Sequence, residues 1–135
     1  MNTIDLIKSY HAHIYFVGTA EREAAVLLRE DIAERFRVRL GRWHEQPIGP
    51  HDQPMYQVAF RVEQFASFVP WLMINRRNLT ILVHPNTGSP RLDHLDHALW
   101  LGKKLPIVRP EQLPARENAE EDHAVEPNTN PTLTP

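Results

Sequence analysis

The sequence contains no cysteine. Disulfides, thiolate metal sites, a CxxC redox pair and a cysteine nucleophile are therefore excluded. Glycine is scarce, at five residues, and neither a phosphate-cradling glycine loop nor a dinucleotide fingerprint is present. No Ser/His/Asp hydrolase signature occurs either. Charge of one sign is also missing. A formal net charge of −2 gives no electrostatic case for nucleic acid. No apolar run approaches the length of a membrane span. The first residues, Met1 to Lys8, lack the charged start and long apolar centre of a signal peptide. The expectation is a cytoplasmic protein that binds neither nucleic acid nor membrane.

Histidine is what the chain has in excess: eight residues, seven of them between His11 and His97. The stretch His11-Ala12-His13-Ile14-Tyr15-Phe16 reads with period two as a strand. Ala12, Ile14 and Phe16 take the core face. His11, His13 and Tyr15 take the other, where two imidazoles two residues apart can reach one metal ion.

The rest of the domain follows from its periodicities. Ala25, Leu28, Ile32 and Phe36 form the apolar stripe of an amphipathic helix over 20–36. Residues 37–45 alternate as a second strand, with a bulge or bend expected at Gly41. Three prolines and one glycine between Gln46 and Pro54 make a loop that carries His51. Residues 55–60 are a third strand. A second helix over 62–76 buries Phe65, Phe68, Val69, Leu72 and Met73, and Pro70 is expected to kink or split it. Leu79 to His84 is the fourth strand. Pro85-Asn86-Thr87-Gly88 is turn chemistry, and Ser89-Pro90 opens a third helix expected to run to Gly102. Leu105 to Val108 reads as a short last strand. From 109 to 135 the composition turns to Pro, acids, Asn and Thr, the signature of a disordered, dispensable tail. The division is a domain over 1–108 and a tail over 109–135.

The order βαββαβ is that of an α+β, ferredoxin-like sandwich, here with an extra C-terminal helix and a sheet order of 4-1-3-2. Strands one and three are taken as parallel, with two and four against them. That arrangement gathers His11, His13, His44, Glu45, His51, Gln57, His84, His94 and His97 at one end of the sheet. His84 alternates onto the open face with His11 and His13. A bare face carrying Tyr15, Tyr56 and Leu82 calls for a cover, so a homodimer packed as an α+β barrel is expected. Imidazole ligands suit iron, zinc, copper or nickel. Three imidazoles, or two with Glu45, leave positions open on such an ion. Asp93 and Asp96 are candidates to orient histidines. Arg39 and Arg42 are candidates to bind a carboxylate. Trp43, Trp71 and Trp100 read as core residues rather than a substrate box.

Residues 10–16, 40–45, 47–51, 55–60, 70–73 and 82–88, with Asp93-His94 and 98–102, resemble the DOPA 4,5-dioxygenase family. The likeness runs from residue 9 to about residue 108. It implies an extradiol ring-cleaving oxygenase that opens DOPA or a similar catechol with O2 at a non-haem metal. Fe(II) is the expected metal, with zinc or nickel as substitutes in a purified sample. Under this resemblance His11, His13 and His84 are the expected metal ligands. His44, His94 and His97 are the expected catalytic acid/base residues, with His44 also a possible fourth ligand. Arg42, His51 and Gln57 are the expected substrate-binding residues. Two rivals lie in other classes: a non-enzymatic, dimeric ferredoxin-like module that binds a metal or ligand, and a cofactor-free monooxygenase of the dimeric-barrel type.

Overall fold

Alternation in the first strand is what builds the sheet. Ala12 and Ile14 are fully buried on the face beneath the helices, and Phe16 nearly so. The computed structural model describes residues 1–116 and 124–135. Its elements are β1 (Ser9–Tyr15), α1 (Gly18–Arg35), β2 (Arg39–His44), β3 (Met55–Phe60), α2 (Phe65–Asn75), β4 (Ile81–Asn86), α3 (Pro90–His94) and β5 (Leu99–Leu101). They form a five-stranded sheet in the order β2-β3-β1-β4-β5. The expected ferredoxin-like order is present, extended by β5. Ala25, Leu28 and Ile32 of α1 and Phe68, Val69 and Leu72 of α2 join Val58, Phe60, Ile81 and Val83 of the sheet in the main core. Deleting any one of the large side chains, as in Leu28→Ala, is worth about 2–5 kcal/mol.

Several local expectations are corrected. β1 runs antiparallel to both β3 and β4, not parallel to β3, because the crossover through α1 makes β1 and β2 the parallel pair and β3 runs against both. The third helix does not reach Gly102. It stops at His94, and Leu99–Leu101 extend as β5 against Ile81–Val83. Leu95, Leu99 and Trp100 thus serve a turn and a strand, since three β-compatible apolar residues find an open sheet edge there. Leu105 to Val108 is reduced to a single bridge between His51 and Ile107. α2 continues through Pro70 to Asn75. A register shift between Leu40 and Trp43 marks the expected bulge, where an added Cβ on Gly41 would lie 3.1 Å from the Gln57 carbonyl oxygen.

The tail expectation is also corrected for residues 124–135; part of it, 117–123, lies outside the described residues. Asn128 works as a surrogate strand on the outer edge of β2. Its amide accepts from the Leu40 N–H at 2.7 Å and donates to the Leu40 carbonyl at 2.9 Å. The Asn128 N–H bonds the Val38 carbonyl. Thr129 Oγ1 accepts from the Val38 N–H and donates to the Phe36 carbonyl. Val125 is buried, and Arg61 holds its carbonyl. Polar composition predicts disorder only when the backbone groups have no better partner than water. Here an unpaired sheet edge supplies one. Asn128→Ala is expected to cost about 0.5–1.5 kcal/mol, the net worth of an ordinary hydrogen bond, since water can take over the exposed Leu40 backbone groups. Urea unfolding measures that loss, and faster amide exchange at Val38 and Leu40 locates it.

Candidate functional site

The site is built on the sheet face away from the helices. Register puts His11 opposite both Ala59 and His84, and His13 opposite Gln57 and Leu82. His11, His13 and His84 thus share one face of adjacent strands, as strand alternation requires. The loop after β2 folds over them and delivers His51, whose ring centroid lies 4.1 Å from that of His13. α3 delivers His94, 4.1 Å from His84 and 5.8 Å from His13. His13 Nε2 and His84 Nε2 are 3.1 Å apart. Among the described residues two sets of three imidazoles can each hold a metal ion: His11, His13 and His84, and His13, His51 and His94, with ligand atoms within 4.8 Å of one another in each. His13 belongs to both.

Electrostatics favour neutral rings. Burial holds His13 well below the usual imidazole range, and its neighbours His51, His84, His11 and His94 push in the same direction. Burial likewise depresses His84 strongly, with His94 and His11 adding to it. His51 falls to about 3, through burial first and then His94, His44 and His11. His94 is lowered by burial, against opposition from its bond to the Pro90 carbonyl and from Asp93. Neutral imidazoles are the form that binds a metal. Among the described residues His13 Nδ1 is buried with no hydrogen-bond partner, a cost of about 1–3 kcal/mol that ligation at this nitrogen would relieve. Carboxylates do not contribute to either set. Glu45, considered as a ligand from sequence, is exposed and paired with Arg22 at 2.6 Å and with the Trp43 indole N–H. The donor set is therefore all imidazole, which fits a transition metal with positions left open.

The sequence-expected residues do not all arrive. His44 pairs opposite Met55, which pairs opposite Tyr15. It lies at the far end of β1 from His11, because β3 is antiparallel to β1. It still stands close enough to His51 to lower that ring's affinity for protons. Gln57 lies beside His13 in the sheet. Arg42 is exposed in the bulged part of β2, and Arg39 reaches the Glu126 carbonyl instead. His97 stands outside the stacked rings, with Nδ1 3.0 Å from Asp93 Oδ1.

Two residues carry more than their sequence context suggested. Tyr15 hydrogen-bonds His51 Nδ1 at 2.7 Å from the same strand face as His11 and His13. The period-two pattern placed Tyr15 there, but nothing in it named His51 as the partner. Asp93 is 2 % exposed and accepts from Thr87 as well as His97. Trp100 stacks on Tyr15, so this tryptophan belongs to the site side. Trp43 and Trp71 pack against the core as expected. The site's floor is closed by the chain itself: Trp100, Leu105 and Ile107 pack on Tyr15, Met55 and Leu82. Tyr56 is buried on the helix side.

Comparison with known proteins agrees with this geometry. The sequence model of the Dopa 4,5-dioxygenase family matches residues 10–109. A DOPA 4,5-dioxygenase of Amanita muscaria is 38% identical over 110 residues, covering 75% of this chain and 48% of that protein. An uncharacterised 21.2 kDa protein of Botryotinia fuckeliana is 40% identical over 112 residues, covering 73% of this chain and 60% of the other. The chain thus spans about half the length of the curated relatives it matches. The crystal structure of a "putative dioxygenase" from Nostoc punctiforme superposes with a TM-score of 0.77 at 50% identity, covering 79% of this chain and 92% of that one. With the family match spanning residues 10–109 and so every residue of both imidazole sets, the chain belongs to the Dopa 4,5-dioxygenase family.

Proposed function

We propose that this protein is an extradiol dioxygenase that opens the ring of DOPA or a similar catechol with O2, in the cytoplasm, at a non-haem Fe(II) held by His11, His13 and His84. The observation that carries this is the buried cluster of neutral imidazoles with no carboxylate among its donors. Zinc or nickel would suit the same donors. A ferrous ion there would supply joint binding of a chelating diol and O2, with an electronic path between them.

The chain's own residues do the remaining work. His44, His94 and His97 are the groups that accept and return protons at the ring hydroxyls. His51 is fixed by Tyr15 and faces the same space as His13, where it orients the substrate. Gln57 neighbours His13 and offers an amide for hydrogen bonding. Arg42 supplies a cation at the rim for a substrate carboxylate. Burial of the cluster under 103–108 and the 46–54 loop limits water around the reacting ring.

Anaerobic loading with Fe(II), then addition of catechol and air, tests this. A new visible band from the semialdehyde that appears only with iron is the expected outcome. Turnover without metal would mean the cofactor-free monooxygenase chemistry. Metal or catechol binding with no turnover would mean a binding module. The homodimer expected from sequence loses part of its ground, since residues 98–107 already cover Tyr15 and Leu82. Each chain holds both imidazole sets complete. Activity per chain is therefore expected to stay constant on dilution whatever the association state, as sedimentation run beside the assay would check.

A further inference from the structure

The centre of the imidazole cluster is closed. His13, His51 and His84 are 3 %, 5 % and 2 % exposed, with His11 and His94 half-buried at the rim. The rings stand against one another, His13 on His51 and His84 on His94, at 4.1 Å between centroids. A small ring can reach His13 only if part of the cover moves. Two segments make that cover, the 46–54 loop and residues 103–108, and the seam between them is thin. One antiparallel bridge joins His51 to Ile107, and the Val108 N–H bonds the Pro50 carbonyl at 2.9 Å. Leu105 and Ile107, both half-buried, pack against Tyr15, Met55 and Leu82. A segment with so few buried contacts belongs to the least stable part of a fold. Each end of it is a left-handed residue, Gly102 at φ +82° and Arg109 at φ +50°. Glycine takes that conformation freely. Arginine takes it against steric opposition, so the surrounding chain must hold it there. Arg91 of α3 does so. Its guanidinium donates to the Pro110, Leu113 and Glu111 carbonyls at 3.2, 3.2 and 3.1 Å, and its backbone N–H bonds the Pro114 carbonyl. On the other side of Gly102, Leu101 is buried and paired with Ile81. The segment is thus held firmly beyond both ends and lightly between them.

We infer that residues 103–108 are a lid over the imidazole cluster, hinged at Gly102 and Arg109, which opens by parting from the 46–54 loop along the His51–Ile107 seam. Arg91 keeps the far hinge in place, so that the lid recloses in register. It acts through the lid and is a positioning residue. The inference rests on the proposed dioxygenase reading for what passes under the lid, a diol and O2, but not for its test.

The chain has no cysteine, so Pro50→Cys with Val108→Cys introduces a single thiol pair. The bridge register sets these two residues opposite each other, and antiparallel neighbours about 5.5 Å apart at Cα suit a disulfide. The metal-free full chain is treated with diethyl pyrocarbonate, which acylates accessible imidazoles, and each histidine is followed by peptide mass. In the oxidised variant His13 is expected to react about tenfold more slowly, or slower still, than in the same protein reduced. His97, whose side chain is 33% exposed, should react equally in both. Arg91→Ala, without the crosslink, is expected to speed acylation of His13 several-fold while the core amides of Ile14 and Val83 exchange as in the parent, which separates lid opening from global unfolding. Equal His13 rates in the oxidised and reduced forms overturn the inference. So does a parent in which His13 reacts as fast as His97. If the double variant does not fold, Arg91→Ala decides alone, and an unchanged His13 rate overturns the inference. Ring cleavage by the iron-loaded parent alongside equal His13 rates removes the lid and leaves the dioxygenase reading standing. A His13 rate that follows the crosslink, with no cleavage after iron loading, supports the lid and removes the other.

Discussion

Replacing His13 by alanine is expected to empty the metal site. His13 is the one residue common to both imidazole sets, so among the described residues neither set of three survives its loss. Altering a group that merely supports a ligand costs about 10–100-fold in metal affinity, and removal of a direct ligand is expected to exceed that. Metal content by elemental analysis should fall to background and ring cleavage with it. The circular dichroism spectrum should be kept, because the core lies on the other face of β1. The remaining ligands are then told apart by comparison. Loss of metal in His11→Ala and His84→Ala, with metal retained in His51→Ala and His94→Ala, is the outcome for the assigned ligands. The reverse pattern would move the ion to the second set. In His44→Ala and His97→Ala the metal should stay while turnover falls by about 10²–10⁴-fold, as for a lost acid/base group.

Acid should unfold the metal-free protein unusually early. Burial pushes the His51 imidazole down to about 3 in the folded chain, against 6.5 for the ordinary side chain. Between those values the unfolded chain binds more protons, so the stability of the fold falls as pH drops. A gap of that size is on the order of 5 kcal/mol for this one residue, at about 1.4 kcal/mol per pH unit. His13, His84 and His94 are displaced in the same direction. Whole domains are stable by only about 5–15 kcal/mol. The midpoint in urea is therefore expected to be flat above pH 7 and to decline from about 6.5 downward. A bound metal competes with those protons and should move the decline to lower pH. A midpoint independent of pH between 7 and 4 would mean that the imidazoles are solvated and the cluster is open.

Much of this molecule is determined by local pattern. The alternation His11-Ala12-His13-Ile14-Tyr15-Phe16 assigns each side chain to a face without any knowledge of its neighbours, because a strand has period two. The stripe Ala25, Leu28, Ile32 does the same for α1. The βαββαβ order then fixes which strands are adjacent, so the meeting of His11, His13 and His84 was legible from residues far apart in the chain. Direction and range were not. His44 was misplaced by one reversed strand, since whether an end lies near or far depends on whether a helix crossover or a hairpin-type loop joins the strands and not on any side chain. The stretch 95–102 carries helix-compatible residues, and only the open edge of β4 drew Leu99–Leu101 into a strand. Asn128 and Thr129 look like any polar tail residues. Their role comes from the unpaired Val38 and Leu40 backbone they meet ninety residues back. Tyr15 with His51, and Asp93 with His97, are of the same kind. Residue type made each a possible partner, and tertiary packing alone decided which of them met, because a hydrogen bond needs its two atoms within about 3 Å and only the assembled sheet, loop and helix bring them there.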